Sequence, residues 1–450
     1  MPDFDGGIQS PGKVQNSSFD ANNIFTEGNN ELNMTIHDME FGRRNVGILG
    51  TCFNVFKCFI GIGLLAIPSA FSEIGFVGGS IGIILIGVLN YYTMMLQIKC
   101  KLRYQNKNVN AETYSDLAYQ THGRLGKLVV DLSLYTSQIG CCVAYLLFVG
   151  KQFEQVICYE SNVCEKKSMY IMLAALALVP VCCLRTFKFI SYMSGFANAS
   201  IVFAICIIVA DSVQNAQENP EQLEQLNYFK PWNLPMFFGI AVFAFEGNGV
   251  IQSIHNSMKE PEEIDKILKV LMAVIISIVA SVGTIAYAGY GSKILDMVTL
   301  NLPHTGVTMF ARLMYSIGLL CSYPLQAMPA FEISEKTRVF EKIPSSINYP
   351  RVKSIIYRTM VVLMTGVFSI FVPRFGLFLN FSGAFSMTFL AFIMPPLMYN
   401  SAFPEKLVPK IKWGHRILMG FGTICGGISA WYSAIELIRA YTKTDYNVAD

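Results

Sequence analysis

The sequence predicts an all-α polytopic membrane protein, with eleven transmembrane helices arranged as two opposed groups of five and one more. Three observations carry that prediction. The chain is 53% hydrophobic and only 14% charged, with a mean hydropathy of +0.43, which is a membrane composition. Eleven apolar stretches approach the ~20 residues a helix needs to cross hydrocarbon. They run at 49–72, 76–98, 129–150, 169–185, 189–210, 235–255, 268–290, 306–331, 355–373, 375–399 and 415–438. Two glycine pairs, Gly61-Ile62-Gly63 and Gly247-Asn248-Gly249, interrupt the first and the sixth of these at mid-depth.

Residues 1–45 are rich in Asn, Ser, Gly and Asp and lack an early apolar run after a basic start. They read as a disordered cytosolic tail, with the first span as insertion signal. Residues 46–210 then make a first five-helix repeat. Residues 211–234, with Glu218, Glu221 and Glu224, form an external loop, and residues 235–400 make a second repeat. The eleventh helix and an external tail take residues 401–450. An odd number of spans per half inverts one half relative to the other, and each half opens with a broken helix. Most of the 34 basic residues, among them Arg43, Arg44, Lys99, Lys101, Arg103, Lys336, Arg338, Lys353 and Lys410, fall on the side of the amino terminus. By the positive-inside rule that side is cytosolic. The net charge of +3 is mostly this bias and points to no nucleic-acid partner.

The breaks direct attention to transport. Glycine loses more backbone freedom than any other residue on entering a helix, so paired glycines favour local unwinding. Inside a bilayer an unwound segment is tolerated only around a cavity. Matching interruptions in two halves mark the solute site of secondary transporters. Glu246 sharpens the point, because a carboxylate at a helix centre costs about 2.5–3.5 kcal/mol and is retained for function. It can bind a proton, hold the unwound segment or meet an amine. The structural alternative is a carboxylate paired with a neighbour such as Lys57. Pro68, Pro324, Pro329 and the Pro395-Pro396 pair that ends the tenth span can release carbonyls and are candidate hinges.

Other chemistries are disfavoured. Gly61 to Ala66 fits the G-x-G-x-x-A dinucleotide pattern but lies in a membrane span and not between a strand and a helix. The five histidines are scattered and have no metal-site spacing with cysteine. No nucleophile or carboxylate pair stands at a helix centre, so the chain reads as no enzyme, with no cofactor or metal. His255 and Asn256 follow the sixth span and read as a surface pair. Cys158 and Cys164 share an external loop and are a candidate disulfide.

Several segments resemble the proton-coupled amino acid transporters of the amino acid/auxin permease family, solute carrier 36-like. They are KCFIGIGLLAIP from Lys57, Thr136 to Gly140 with Tyr145, FFGIAVFAFEGNGV with Met258 to Pro261, Tyr323-Pro324-Leu325-Gln326 with Pro329, and Ser382 to Phe385 with Pro395-Pro396. The match is collinear over about residues 45 to 438. It implies a LeuT-like five-plus-five inverted repeat that moves an amino acid with a proton. By that resemblance Ile60, Gly61, Ile62, Gly63 and Leu64 receive the substrate carboxylate at a half-helix amino end. Phe243, Phe245, Glu246, Gly247, Asn248 and Gly249 line the other side and meet the amine, with Phe245 as gate or wall, and Tyr323 joins the hinge prolines. Many relatives carry a histidine where this chain has Asn54. Asparagine cannot titrate, which moves proton coupling toward Glu246.

The expectation is therefore a secondary active transporter for small neutral amino acids, working by proton symport and alternating access. Sodium-coupled or uncoupled transport is the near alternative, with Ser277 and Ser281 as possible sodium contacts, and an amino acid sensor the more distant one. The partners expected are an amino acid substrate and the lipid bilayer of a plasma or endolysosomal/vacuolar membrane. No feature sets an oligomeric state.

Overall fold

A computed structural model describes residues 46–109, 111–161, 166–183, 187–335 and 350–446. The helices are α1 (Ile48–Phe59), α2 (Ile62–Ile74), α3 (Phe76–Gln105), α4 (Tyr114–Ser161), α5 (Lys167–Cys183) and α6 (Phe187–Glu218). They continue as α7 (Leu234–Ala244), α8 (Ile251–Ser257), α9 (Ile264–Tyr290), α10 (Gly306–Glu335), α11 (Pro350–Phe371), α12 (Phe375–Ser382), α13 (Met394–Ala402) and α14 (Pro409–Tyr446). Among the described residues seven helices are long and apolar enough to cross a membrane, and the bent pair of α1 and α2 brings the number to eight. The expected fourth, sixth and eighth spans correspond to α5, to α7 with α8, and to α10. The first is short, the second is broken, and the third carries the buried Arg312 among its apolar residues.

Helix lengths exceed several sequence expectations for local reasons. α4 starts at Tyr114 because Thr113 caps it: Thr113 Oγ1 accepts from the Asp116 amide at 3.1 Å, and the Asp116 carboxylate accepts from the Thr113 amide at 3.3 Å. This reciprocal pairing satisfies donors that a helix start leaves free. Gly123, at φ +65°, then kinks the helix before the apolar stretch. α6 continues to Glu218, so the first eight residues expected in the external loop are helical. Pro395 and Pro396 do not end the tenth span. Two π-helical stretches, Gly383–Met387 and Phe389–Ile393, precede the prolines, which start α13, and that helix runs on to Ala402.

The packing is layered around α7. Met236 to Ala244 are all buried, with α2, α12 and α14 packed around them. α12 approaches so closely that a Cβ on Gly239 would lie 2.1 Å from the Asn380 carbonyl oxygen. The Asn380 side chain accepts from the Ile240 amide at 3.1 Å. On the outside, α14 presents Ile417, Ile424, Ile428, Trp431 and Ile438, an apolar face suited to lipid.

The two broken spans are sewn together at both ends. At one end Val46 and Met258 form a parallel bridge, with the Val46 amide donating to the Ser257 carbonyl at 3.1 Å and the Lys259 amide to the Val46 carbonyl at 2.9 Å. At the other end the Lys230 amide donates to the Ile74 carbonyl at 2.7 Å, and the Phe76 amide to the Asn227 carbonyl at 2.9 Å. Gly75 sits in that turn at φ +93°, and a Cβ there would also meet the Asn227 and Tyr228 backbone at 2.7 Å, so the turn requires glycine.

Candidate functional site

The first span breaks where the sequence predicts. Ile60 (φ −90°, ψ 85°) and Gly61 (φ −146°, ψ −151°) leave helical geometry, and α1 and α2 meet at 44°. α2 therefore begins inside the bundle, with amide groups that a helix start leaves without intrahelical acceptors. The Gly61 carbonyl accepts from the Leu64 amide at 3.1 Å and from the Tyr315 hydroxyl at 2.9 Å. A Cβ on Gly61 would lie 3.5 Å from the Tyr145 hydroxyl, so two tyrosines, from α4 and α10, stand over the break.

The sixth span breaks between Ala244 and Ile251. The breaks face each other. A Cβ on Gly63 would lie 2.7 Å from the Ala244 Cα, and one on Gly247 would lie 2.3 Å from the Phe59 ring. Glycine at 63 lets one backbone approach the other, and glycine at 247 makes room for the Phe59 ring. Pro68, Pro324 and Pro329 lie inside continuous helices, and the Tyr323 hydroxyl is 2.6 Å from Thr365 Oγ1.

Glu246 is 7% exposed, and neither carboxylate oxygen makes a hydrogen bond among the described residues. It lies beside the Gly249 amide and the Ser137 hydroxyl without bonding geometry to either, and it makes no hydrogen bond to Lys57. Ser137 Oγ and Gln138 Nε2, both buried, also lack partners. Gln138 Nε2 and Glu246 Oε1 flank Gly249, each 3.1 Å from where a Cβ would stand. The α10 side chain Gln326 completes the group by donating to Gln138 Oε1 at 2.7 Å.

Not every predicted site residue turns toward this space. Asn248 is fully buried, and its side chain is engaged with α3: Gln97 Nε2 donates to Asn248 Oδ1 at 2.8 Å, and Asn248 Nδ2 donates to Asn90 Oδ1 at 2.6 Å. The Phe245 ring also packs on α3, 3.1 Å from where a Cβ on Gly87 would stand. Phe243 backs onto Gly383 of the first π-helical stretch. His255, expected at the surface, is 4% exposed. Its Nδ1 lies 3.0 Å from Nζ of the fully buried Lys101, which also reaches Asn256. Cys158 is disulfide-bonded, while Cys164 and residues 1–45 lie outside the described residues.

Sequence reasoning missed Asn90, Gln97, Tyr315 and the role of Gln138 with Gln326. A signal existed for the first pair: Asn90 and Gln97 are seven residues apart in an apolar helix, so two turns put both amides on one face, and polar side chains within membrane helices are rarely idle.

A helical membrane bundle in which two discontinuous helices meet at a buried polar site is the construction of a secondary transporter. The fold is one seen before: the chain superposes on a substrate-bound, outward-open Na+-coupled sialic acid symporter with a TM-score of 0.55 at 13% identity, covering 90% of this chain and 91% of that one. The fold is LeuT-like, as expected. The chain belongs to the transmembrane amino acid transporter protein family, whose signature matches residues 44–439. Amino acid transporter ANT1 of Arabidopsis thaliana is 28% identical over 410 residues, 88% of this chain and 93% of that protein. Vacuolar amino acid transporter 3 of Schizosaccharomyces pombe is 27% identical over 355 residues, 77% of this chain and 52% of that one. The protein is a membrane transporter and not an enzyme.

Proposed function

We propose that this transporter moves small neutral amino acids by proton symport, through alternating access around the two breaks. In this reading eleven spans form two inverted five-helix repeats and the amino terminus is cytosolic. The α-carboxylate of the substrate docks on the leading amides of α2, those of Ile62 and Gly63, where the helix dipole is positive. Similarity to a vacuolar transporter of fission yeast supports a vacuolar or endolysosomal membrane over the plasma membrane.

The observation that carries the reading is Glu246, a buried carboxylate without a hydrogen bond, set in one break against the other. A bare carboxylate at this depth costs about 2.5–3.5 kcal/mol. A bound proton removes that cost, and symport requires that proton and substrate favour the same state of the carrier. That shared preference is the linkage, since a ligand shifts a conformational equilibrium only by its differential affinity for the two states.

The test is uptake of labelled alanine into proteoliposomes under imposed gradients. An inwardly directed proton gradient is expected to drive accumulation above equilibrium, and a sodium gradient at fixed pH is not. Glu246→Gln is expected to abolish accumulation driven by the proton gradient while leaving exchange of labelled for unlabelled substrate measurable. Accumulation by the variant equal to wild type, or a response to sodium alone, overturns proton coupling through Glu246.

A further inference from the structure

Glu246 is one of three side chains with orphaned polar atoms in the same place, and the set has a composition of its own. Among the described residues both Glu246 oxygens, Ser137 Oγ and Gln138 Nε2 lack hydrogen-bond partners, and Ser137 and Gln138 are fully buried. Buried polar atoms are nearly always paired, so such a cluster marks a site that something else completes. The orientation of Gln138 follows from the carboxylate beside it. Turning its amide over would bring a carbonyl oxygen toward the Glu246 carboxylate, whereas the present arrangement offers it an NH2 group. The cluster therefore presents a carboxylate acceptor opposite two donors, an amide NH2 and a hydroxyl. Gly249 lets these groups close in on one another, since a Cβ there would sit 3.1 Å from both Gln138 Nε2 and Glu246 Oε1 and 3.0 Å from Leu134 Cδ2, nearer than a methyl group packs.

Each class of amino acid side chain can be set against this pattern. An aliphatic side chain leaves every orphan unpaired, at about 1–3 kcal/mol for each. An ammonium group pairs with Glu246 and leaves the Gln138 NH2 without an acceptor. A carboxylate meets Glu246 as a like charge. A primary carboxamide answers all of them: its NH2 donates to Glu246, and its carbonyl oxygen accepts from Gln138 Nε2 and Ser137 Oγ. The match survives protonation of Glu246, because a carboxylic acid still offers an acceptor oxygen and adds one more donor.

We propose that Ser137, Gln138, Glu246 and Gln326 form a side-chain subsite for a carboxamide, making asparagine and glutamine the preferred substrates among the neutral amino acids. This rests on the reading that an amino acid occupies the space between the breaks. The full-length protein reconstituted in liposomes tests it, with labelled alanine as tracer and unlabelled amino acids as competitors. Asparagine is expected to compete about tenfold or more better than leucine, its near-isostere without the amide, and glutamine likewise better than glutamate. Ser137→Ala and Gln138→Leu are each expected to raise the inhibition constant of glutamine relative to that of alanine by about tenfold. Gly249→Ala, whose methyl group crowds Gln138 and Glu246, is expected to shift the ratio in the same direction. A purely structural role for these residues moves all substrates together and leaves the ratio unchanged. Equal inhibition by asparagine and leucine in wild type, or variants that leave the glutamine-to-alanine ratio unchanged, overturn the carboxamide subsite while leaving amino acid transport standing. Wild-type protein that is folded by size exclusion yet neither binds nor moves any amino acid overturns the parent reading, and this one with it.

Discussion

The two helix breaks are built from the same residue type and differ in everything they expose. At the first break the polar groups are main chain: the start of α2 offers amides, and the Gly61 carbonyl is taken up by Tyr315. No ionisable side chain belongs to Ile60–Leu64. At the second break polar side chains join the main chain, with Glu246 beside the Gly249 amide and Asn248 committed to Asn90 and Gln97. Main-chain amides recognise what every amino acid shares, its α-carboxylate. A carboxylate among an amide and a hydroxyl recognises what differs, a proton or a side chain. On the proposed reading the pair divides labour: common recognition at one break, coupling and selectivity at the other.

The largest expected effect comes from forcing the breaks apart. A Cβ on Gly63 would fall 2.7 Å from the Ala244 Cα, and a backbone atom cannot swing aside as a side chain can. Gly63→Val therefore separates α2 from α7 or strains both, an overpacking cost of about 1–3 kcal/mol. Uptake of every amino acid is expected to fall by about tenfold or more in protein that still inserts and elutes as a single species. Retention of wild-type uptake breaks the idea that the two breaks act as one site.

A smaller effect is expected where the second break is anchored. Asn248→Leu leaves the Asn90 and Gln97 amides buried with one partner fewer each, at about 1–3 kcal/mol for each orphaned group. The variant is expected to unfold at a lower temperature in detergent while its glutamine-to-alanine preference stays near wild type. A changed preference with unchanged stability transfers Asn248 from the scaffold to the substrate wall.

Much of this was legible in the chain. The breaks at Gly61 and Gly247 announced themselves because glycine pairs stand out in apolar runs, and Glu246 because an acid in hydrocarbon is costly. The partners were harder to read. Ser137 and Gln138 lie 109 and 108 residues before Glu246 in the chain, and only the crossing of α4 beside the sixth span joins them. The commitment of Asn248 to α3 was hidden for the same reason, since no local pattern says which helix face meets which. The run past Pro395 and Pro396 escaped notice because periodicity does not announce π-helical geometry, although wide turns there rearrange the carbonyls that a proline would otherwise strand.

The smallest expected effect discriminates best between the breaks. Tyr315→Phe removes the donor to the Gly61 carbonyl and keeps the ring, which packs 5.5 Å from that of Phe148. The hydrogen bond is neutral and its loss is worth about 0.5–1.5 kcal/mol, a factor of roughly two to ten. Because this bond holds main chain and touches no side-chain subsite, the penalty belongs to the α-carboxylate end of the substrate. KM for alanine, serine and glutamine is expected to rise by a common factor within that range, with the dependence on the proton gradient unchanged. The Glu246 cluster predicts the opposite pattern for its own variants, a change in ratios between substrates or in coupling. A Tyr315→Phe protein whose selectivity shifts instead would mean that the first break also reads side chains, and the division between the breaks would give way to a single shared pocket.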